Sequence, residues 1–212
     1  MAMNAEVISS AITAVGTLVL AVATFVSTRS ANHAARVAER SLLIGLRPVL
    51  VNGRHDDPLQ KVGFRDDRYL RVEGSLAAVE IDAGDIYLAI PVRNVGSGIA
   101  VLQAWDPLPE RATGDDQHNR DPKLFRRLTR DIYVAPGDIG FWQGALREPS
   151  EPIFDSIAAA ATARRPFMVD VLYTDMHGGQ RTVTRFSLTP AGDDRWLSSV
   201  SRHWILDGVS PR

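Results

Sequence analysis

A chain of 212 residues with a net charge of −1 at pH 7 and no cysteine excludes a disulfide framework, thiolate metal sites and cysteine nucleophiles, and removes any broad case for nucleic-acid binding. At 45% hydrophobic and 23% charged residues it has the composition of a cored globular protein. The missing cysteines leave the compartment open, because a reducing cytoplasm needs no disulfides and a well-cored external domain does without them.

Residues 7–28 carry no formal charge and lie between Glu6 and Arg29. A helix needs about 20 such residues to cross ~30 Å of hydrocarbon, so this stretch predicts a transmembrane span. Its hydroxyl residues are tolerated in lipid because they can bond back to the helix backbone. Ser10, Ala14, Thr17, Ala21 and Thr24 recur at alternating intervals of four and three, which sets small side chains along one face. An alanine-rich helix also produces such a face by composition alone; the sharper reading is self-association of the helix into a homo-oligomer. A second face continues beyond the span as Arg29, His33, Arg36 and Arg40. It reads either as a solvated helix face or as a contact of Arg29, Arg36 and Arg40 with anionic lipid headgroups.

The leading segment offers one Glu and the terminal amine, whereas Arg29, Arg36, Arg40 and Arg47 follow the span. Positive residues remain in the cytoplasm, so the expected arrangement is an inner-membrane, single-pass protein with its C-terminal domain inside. A cleaved signal peptide is the competing reading, but the basic leading region it needs is missing. The expected division is an anchor and juxtamembrane helix over residues 1–46 and a β-domain over residues 47–212.

Pro48 ends the helix, and Val49, Leu50 and Val51 read as the first strand. Residues 52–67 read as a polar loop. His55, Asp56 and Asp57 within it invite a metal reading, which fails on direction: adjacent aspartates on an extended segment point apart, and turns or ion pairs account for them. Ile86, Leu88, Ile90 and Val92 alternate with Tyr87, Ala89, Pro91 and Arg93, the period of a strand with one face in a core. Pro91 predicts an edge position or a bulge there. Asn94 to Gly98 reads as a turn with Gly96 and Gly98 free to take positive φ.

Residues 106–130 form a Pro-, Asp- and Arg-rich insertion, read as an exposed loop ending in a helical turn near Phe125. Long loops are often functional, which makes Asp115, Asp116 and His118 the candidate partner-binding residues. Strands are expected at Ile132–Val134 and Ile139–Leu146 around an Ala-Pro-Gly-Asp turn. Ser150 is expected to cap a helix with Ile153, Phe154, Ile157, Ala158 and Ala161 on one face. A hairpin over residues 167–188 follows, and a last strand with Trp196, Val200, Trp204 and Leu206 on one face.

Six to eight strands, one connecting helix and no βαβ alternation indicate a mainly β fold, an antiparallel β-sandwich after an N-terminal transmembrane and juxtamembrane α-helix. The order of span, basic helix, Arg47-Pro48, Arg93 to Ala100, Ala135 to Asp138, and Tyr173-Thr174-Asp175 with Gly178-Gly179 resembles uncharacterised bacterial single-span membrane proteins with an immunoglobulin-like β-sandwich. The resemblance implies that fold and carries no catalytic residue with it.

No Gly-x-Ser-x-Gly elbow, His-Glu-x-x-His helix or Walker loop is present. The expected function is therefore a membrane-anchored binding or scaffolding protein, not an enzyme, which acts through sandwich loops on a protein partner, with lipids as a second partner and no cofactor or metal. Two alternatives stand beside it: a membrane-tethered hydrolase built on His55, Asp57, His118 and His177, and an externally facing envelope-binding domain.

Overall fold

The computed structural model describes residues 2–110, 121–192 and 194–207. The chain divides into two compact units, residues 1–45 and 46–212. The first is one α-helix, α1, Ala2–Gly45, of 44 residues, about 66 Å at 1.5 Å per residue. Within it Ala14–Gly45 is long and apolar enough to cross a membrane, and none of its most apolar window is buried. Thr24 and Thr28 donate their hydroxyls to the carbonyls of Leu20 and Thr24, both at 2.8 Å. Each is satisfied inside the helix, as lipid requires.

The second unit is mainly β and antiparallel throughout. Its strands are β1 Leu50–Asn52, β2 Gln60–Gly63, β3 Tyr69–Val72, β4 Leu76–Asp82, β5 Asp85–Asn94, β6 Ala100–Leu108, β7 Arg126–Val134, β8 Ile139–Leu146, β9 Phe167–Thr174, β10 Thr182–Ala191 and β11 Arg195–Ile205. One helix, α2 Phe154–Thr162, lies in the connection from β8 to β9. Nine strands form a single curled sheet. One arm holds β8, β5 and, on the far edge of β5, β4 and β1; the other runs β11, β10, β9, β6, β7. The arms meet through two residue pairs of β4 and β11, Ala77 with Trp196 and Leu76 with Leu197. Curling brings both inner faces onto one core, with Leu88 and Ile90 from one arm and Val169, Tyr173 and Phe186 from the other, all fully buried. The result is sandwich-like.

The alternation in β5 places Ile86, Leu88, Ile90 and Val92 in that core. Its other face is buried as well: the β2–β3 hairpin packs Val62, Leu70 and Val72 against Tyr87 and Ala89. The supposed polar loop therefore contains β2. Pro91 lies in a central strand, not at an edge. The N–H of Gly53 donates to the Pro91 carbonyl at 3.1 Å, so the polar side of Pro91 faces the edge shared by β4 and β1. Pairing with β4 ends at Ala89 and pairing with β1 starts at Val92. The missing N–H falls in the gap between them, where no ladder bond is lost.

Asn94 ties three segments together while fully buried. Its side-chain carbonyl accepts from the N–H of Val49 at 3.2 Å and of Gly96 at 3.0 Å, and its amide donates to the carbonyls of Gly98 at 2.7 Å and Val134 at 3.0 Å. Gly96 and Gly98 are not needed for positive φ, contrary to expectation. They are needed for contact: a Cβ on Gly98 would lie 1.8 Å from the Leu46 carbonyl oxygen.

Two further expectations are corrected. Ile153 is the N-cap of α2 and no side chain caps it, so Ser150 does not; Ala160 rather than Ala161 is its buried alanine. Trp196 and Trp204 also lie on opposite faces. The register passes from Val200 opposite Phe186 to Arg202 opposite Arg185, so Ser201 is an extra residue that inverts the alternation. Trp196 then packs in the main core and Trp204 in an outer cluster with Ala104, Phe125, Leu172 and Val183.

A candidate binding cleft at the open seam

β7 and β8 are consecutive and joined by the tight turn at Pro136 and Gly137, whose glycine takes φ 75°. They do not pair with each other: β7 pairs with β6 and β8 with β5. The curled sheet is therefore open along this seam. β7 also leaves its ladder, because the register jumps from Ile132 opposite Leu102 to Arg127 opposite Ala104. Residues 128–131 face only Gln103 and have no partner strand on β6.

A cleft of about 380 Å³ lies along the seam, walled by residues 126–130 and Ile132 of one strand, by Gln143 to Ala145 of the other, and by Phe64 and Arg65 from the β2–β3 loop. That volume suits a small ligand or a few side chains of a partner. Trp105 reaches the cleft and stacks edge-to-face on Trp142, with ring centroids 5.2 Å apart. Gly144 is obligatory, because a Cβ there would lie 2.7 Å from one indole and 2.9 Å from the other.

Five arginines and two glutamates line the cleft, and their partners differ. Arg126 is bound by Glu151, with one bond at 3.0 Å, and its guanidinium sits 5.5 Å over the Trp105 ring. Arg147 is held by Asp66 at 3.2 Å and Asp85 at 3.5 Å. Arg130 crosses the seam to a neutral group, the Gln143 side-chain carbonyl at 2.6 Å. The side chains of Arg65 and Arg127 are exposed and make no hydrogen bond or ion pair with the described residues. Three of the five charges thus have no ion-pair partner among the described residues.

Tyr87 lies outside the lining and contacts two of its residues, Phe64 and Arg147. Its hydroxyl bonds to Asp66 and, at 3.1 Å, to Asp85, and Phe64 packs on its ring edge-to-face at 5.1 Å. Hydrogen bonding to Asp66, burial and Asp85 push the phenol up to about 12. The Tyr87 bond, against burial and aided by Arg147, holds the Asp66 carboxyl below the usual carboxylate range. Arg65 is next in the chain to Asp66.

Asp115, Asp116 and His118 lie outside the described residues. Residues 126–130, the tail of the same insertion, form β-strand rather than a helical turn, and a 3₁₀ turn precedes them at Pro122–Leu124. Arg29 and Arg36 are exposed on α1, as are Ser10, Ala14, Thr17, Ala21 and Thr24; the side chain of Arg40 lies outside the described residues. His55 and His177 are exposed in separate turns. Asp57 is buried, accepting from the Arg54 N–H at 2.8 Å and from Arg93. Burial raises its carboxyl, but those two donors outweigh it and leave it lowered. Among the described residues no group of three or more His, Asp or Glu is placed to hold a metal ion. The arginines of the seam escaped the sequence reading because the cleft joins segments far apart in the chain; the signal that could have found them is Arg126, Arg127 and Arg130 crowded into a strand.

The chain is thus a mainly β, sandwich-like domain following one long apolar helix, with an arginine-lined cleft where its sheet fails to close. Neither any protein-family model nor any curated protein matches it.

Proposed function

We propose that the protein is a single-pass, membrane-anchored binding or scaffolding protein of the inner membrane, whose immunoglobulin-like domain holds a protein partner at the β7–β8 seam. The apolar reach of α1 supports the anchor, and the arginine excess after it supports a cytoplasmic domain. The observation that carries the binding role is the open seam itself, where two strand edges and uncompensated arginines surround an apolar floor. Surfaces of that kind mark contact sites, because unpaired edges and unneutralised charges are otherwise blunted. Arg29, Arg36 and Arg40 then bind anionic headgroups, and the small-residue face of Ser10, Ala14, Thr17, Ala21 and Thr24 brings anchor helices together.

The test is a photo-crosslinking residue placed at Thr129, in the seam, and for comparison at the exposed Ile81 of β4. A discrete protein adduct at Thr129 that is absent at Ile81 and lost in Arg127→Glu is the expected result. Equal adducts at both positions, or none at Thr129, would overturn the reading.

A further inference from the structure

We infer that the seam accepts an extended acidic peptide segment with apolar residues interleaved among its carboxylates. The inference rests on the binding role proposed above and names the partner's chemistry. Three observations lead to it.

The first is charge. Among the described residues Arg65 and Arg127 make no ion pair, and Arg130 bonds to the neutral Gln143 amide and lies 5.8 Å over the Phe141 ring, so a carboxylate would gain charge-assisted bonds without breaking an ion pair among them. Arg126 and Arg147, by contrast, are already neutralised. They frame the site rather than compete for the ligand.

The second is the shape of the walls. The Pro91 carbonyl faces β1, so alternation along β5 turns Val92 and Ile90 toward β8, to their partners Gly140 and Trp142. The backbone groups of Phe141, Gln143 and Ala145 therefore face the seam, and β8 has no second partner strand among the described residues. A free strand edge recruits an extended segment through main-chain hydrogen bonds. In such a segment side chains alternate, so one set meets the apolar floor of Trp105 and Ile132 while the other meets the arginines.

The third is Glu148, exposed on the lining and without an ion pair among the described residues, whereas Glu151 is neutralised by Arg126. Its charge disfavours a dense polyanion, such as a phosphorylated headgroup or a nucleic-acid backbone, more than singly charged carboxylates two residues apart on an extended chain.

The experiment uses the full chain in phosphatidylcholine nanodiscs and a fluorescent probe, the capped hexapeptide Glu-Val-Glu-Val-Glu-Val. Anisotropy should show saturable binding that the Lys-Val counterpart lacks, and that weakens at least tenfold in the Arg127→Glu, Arg130→Glu double variant. Methylating alternate amide nitrogens of the probe should abolish binding as well. Undiminished binding of the methylated probe would overturn the strand-edge geometry. Undiminished binding by the double variant would overturn the site. If no acidic probe binds while the Thr129 crosslink still forms, the partner chemistry is wrong and the binding role stands. If both fail, the reading beneath it fails too.

Discussion

Arg185 grips Asp170 across the β9–β10 ladder with two parallel bonds of 2.7 Å, and the two side chains are 3% and 0% exposed. The guanidinium also lies 5.2 Å over the Trp204 ring. A carboxylate and a guanidinium removed from water in this way are stable only together, because either one alone carries a desolvation penalty of several kcal/mol.

Replacing Asp170 with Asn should therefore cost about 3–5 kcal/mol, by removing the buried carboxylate charge that accepts two bonds from Arg185. The measurement is thermal unfolding of the full chain in detergent, followed by tryptophan fluorescence, since all four tryptophans lie in residues 46–212. The midpoint should fall by roughly 6–20 °C. Asp170→Leu combined with Arg185→Met should recover most of that loss, and a double variant no more stable than Asp170→Asn would show that the charges are not what the site depends on.

Asn94 supports a second prediction, because its side chain both accepts and donates. Asn94→Asp preserves the shape and the acceptance from Val49 and Gly96, yet places a carboxylate against the carbonyls of Gly98 and Val134. Losing two buried donor contacts should cost at least ~2 kcal/mol. Gly98→Ala should be damaging for a different reason, the 1.8 Å approach to the Leu46 carbonyl. A denaturation midpoint unchanged in either variant would mean that the turn is held by other contacts.

These residues also mark what could be read from the sequence. The alternation over residues 86–92 and the hairpin of β9 and β10 were legible, because β5 and β9 each bury an unbroken row of apolar side chains and β10 adds Phe186 and Leu188 to the same core. β2, β3 and β4 were not: Gln60 to Gly63 and Tyr69 to Val72 are four residues each, carry charges, and become strands only by covering Tyr87 and Ala89. Trp196 and Trp204 misled because one bulge residue, Ser201, inverts parity and carries no sequence mark. The cleft was half legible. Length and composition single out residues 106–130 as a candidate contact surface, but its tail is placed beside Gln143 and Arg65 only by the curl of the sheet.

His203 gives the domain a pH dependence of definite sign. It is half-buried, with Nδ1 2.7 Å from the Thr184 hydroxyl, which in turn lies 3.1 Å from the Tyr173 hydroxyl. Burial lowers its pKa below the ordinary value of 6.5. The folded state therefore binds this proton less readily than the unfolded chain, so the contribution is full above about pH 6.5 and declines as pH falls. Asp207, lowered by its bonds to Arg181 against burial, acts in a separate window, keeping its contribution above about pH 4 and losing it below. Unfolding midpoints between about pH 7 and 5 should fall in the natural chain. His203→Gln should flatten that slope and leave the acid limb below pH 4 in place; an unchanged slope would assign it to another group.

Topology is the prediction on which the search for a partner depends. The chain has no cysteine, so a single one introduced at Leu124, which is 78% exposed in the domain, reports location without interference. The arginines at positions 29, 36, 40 and 47, after the apolar stretch, predict a cytoplasmic domain. A membrane-impermeant thiol reagent should accordingly leave Leu124→Cys unlabelled in intact cells and label it once the membrane is opened. Labelling in intact cells would place the seam outside, where the arginine-lined cleft would face envelope polymers, and the acidic segment would have to be sought there. Protection would direct the Thr129 crosslink to proteins of the cytoplasm, the side on which the proposed contacts of Arg29, Arg36 and Arg40 would meet an anionic leaflet.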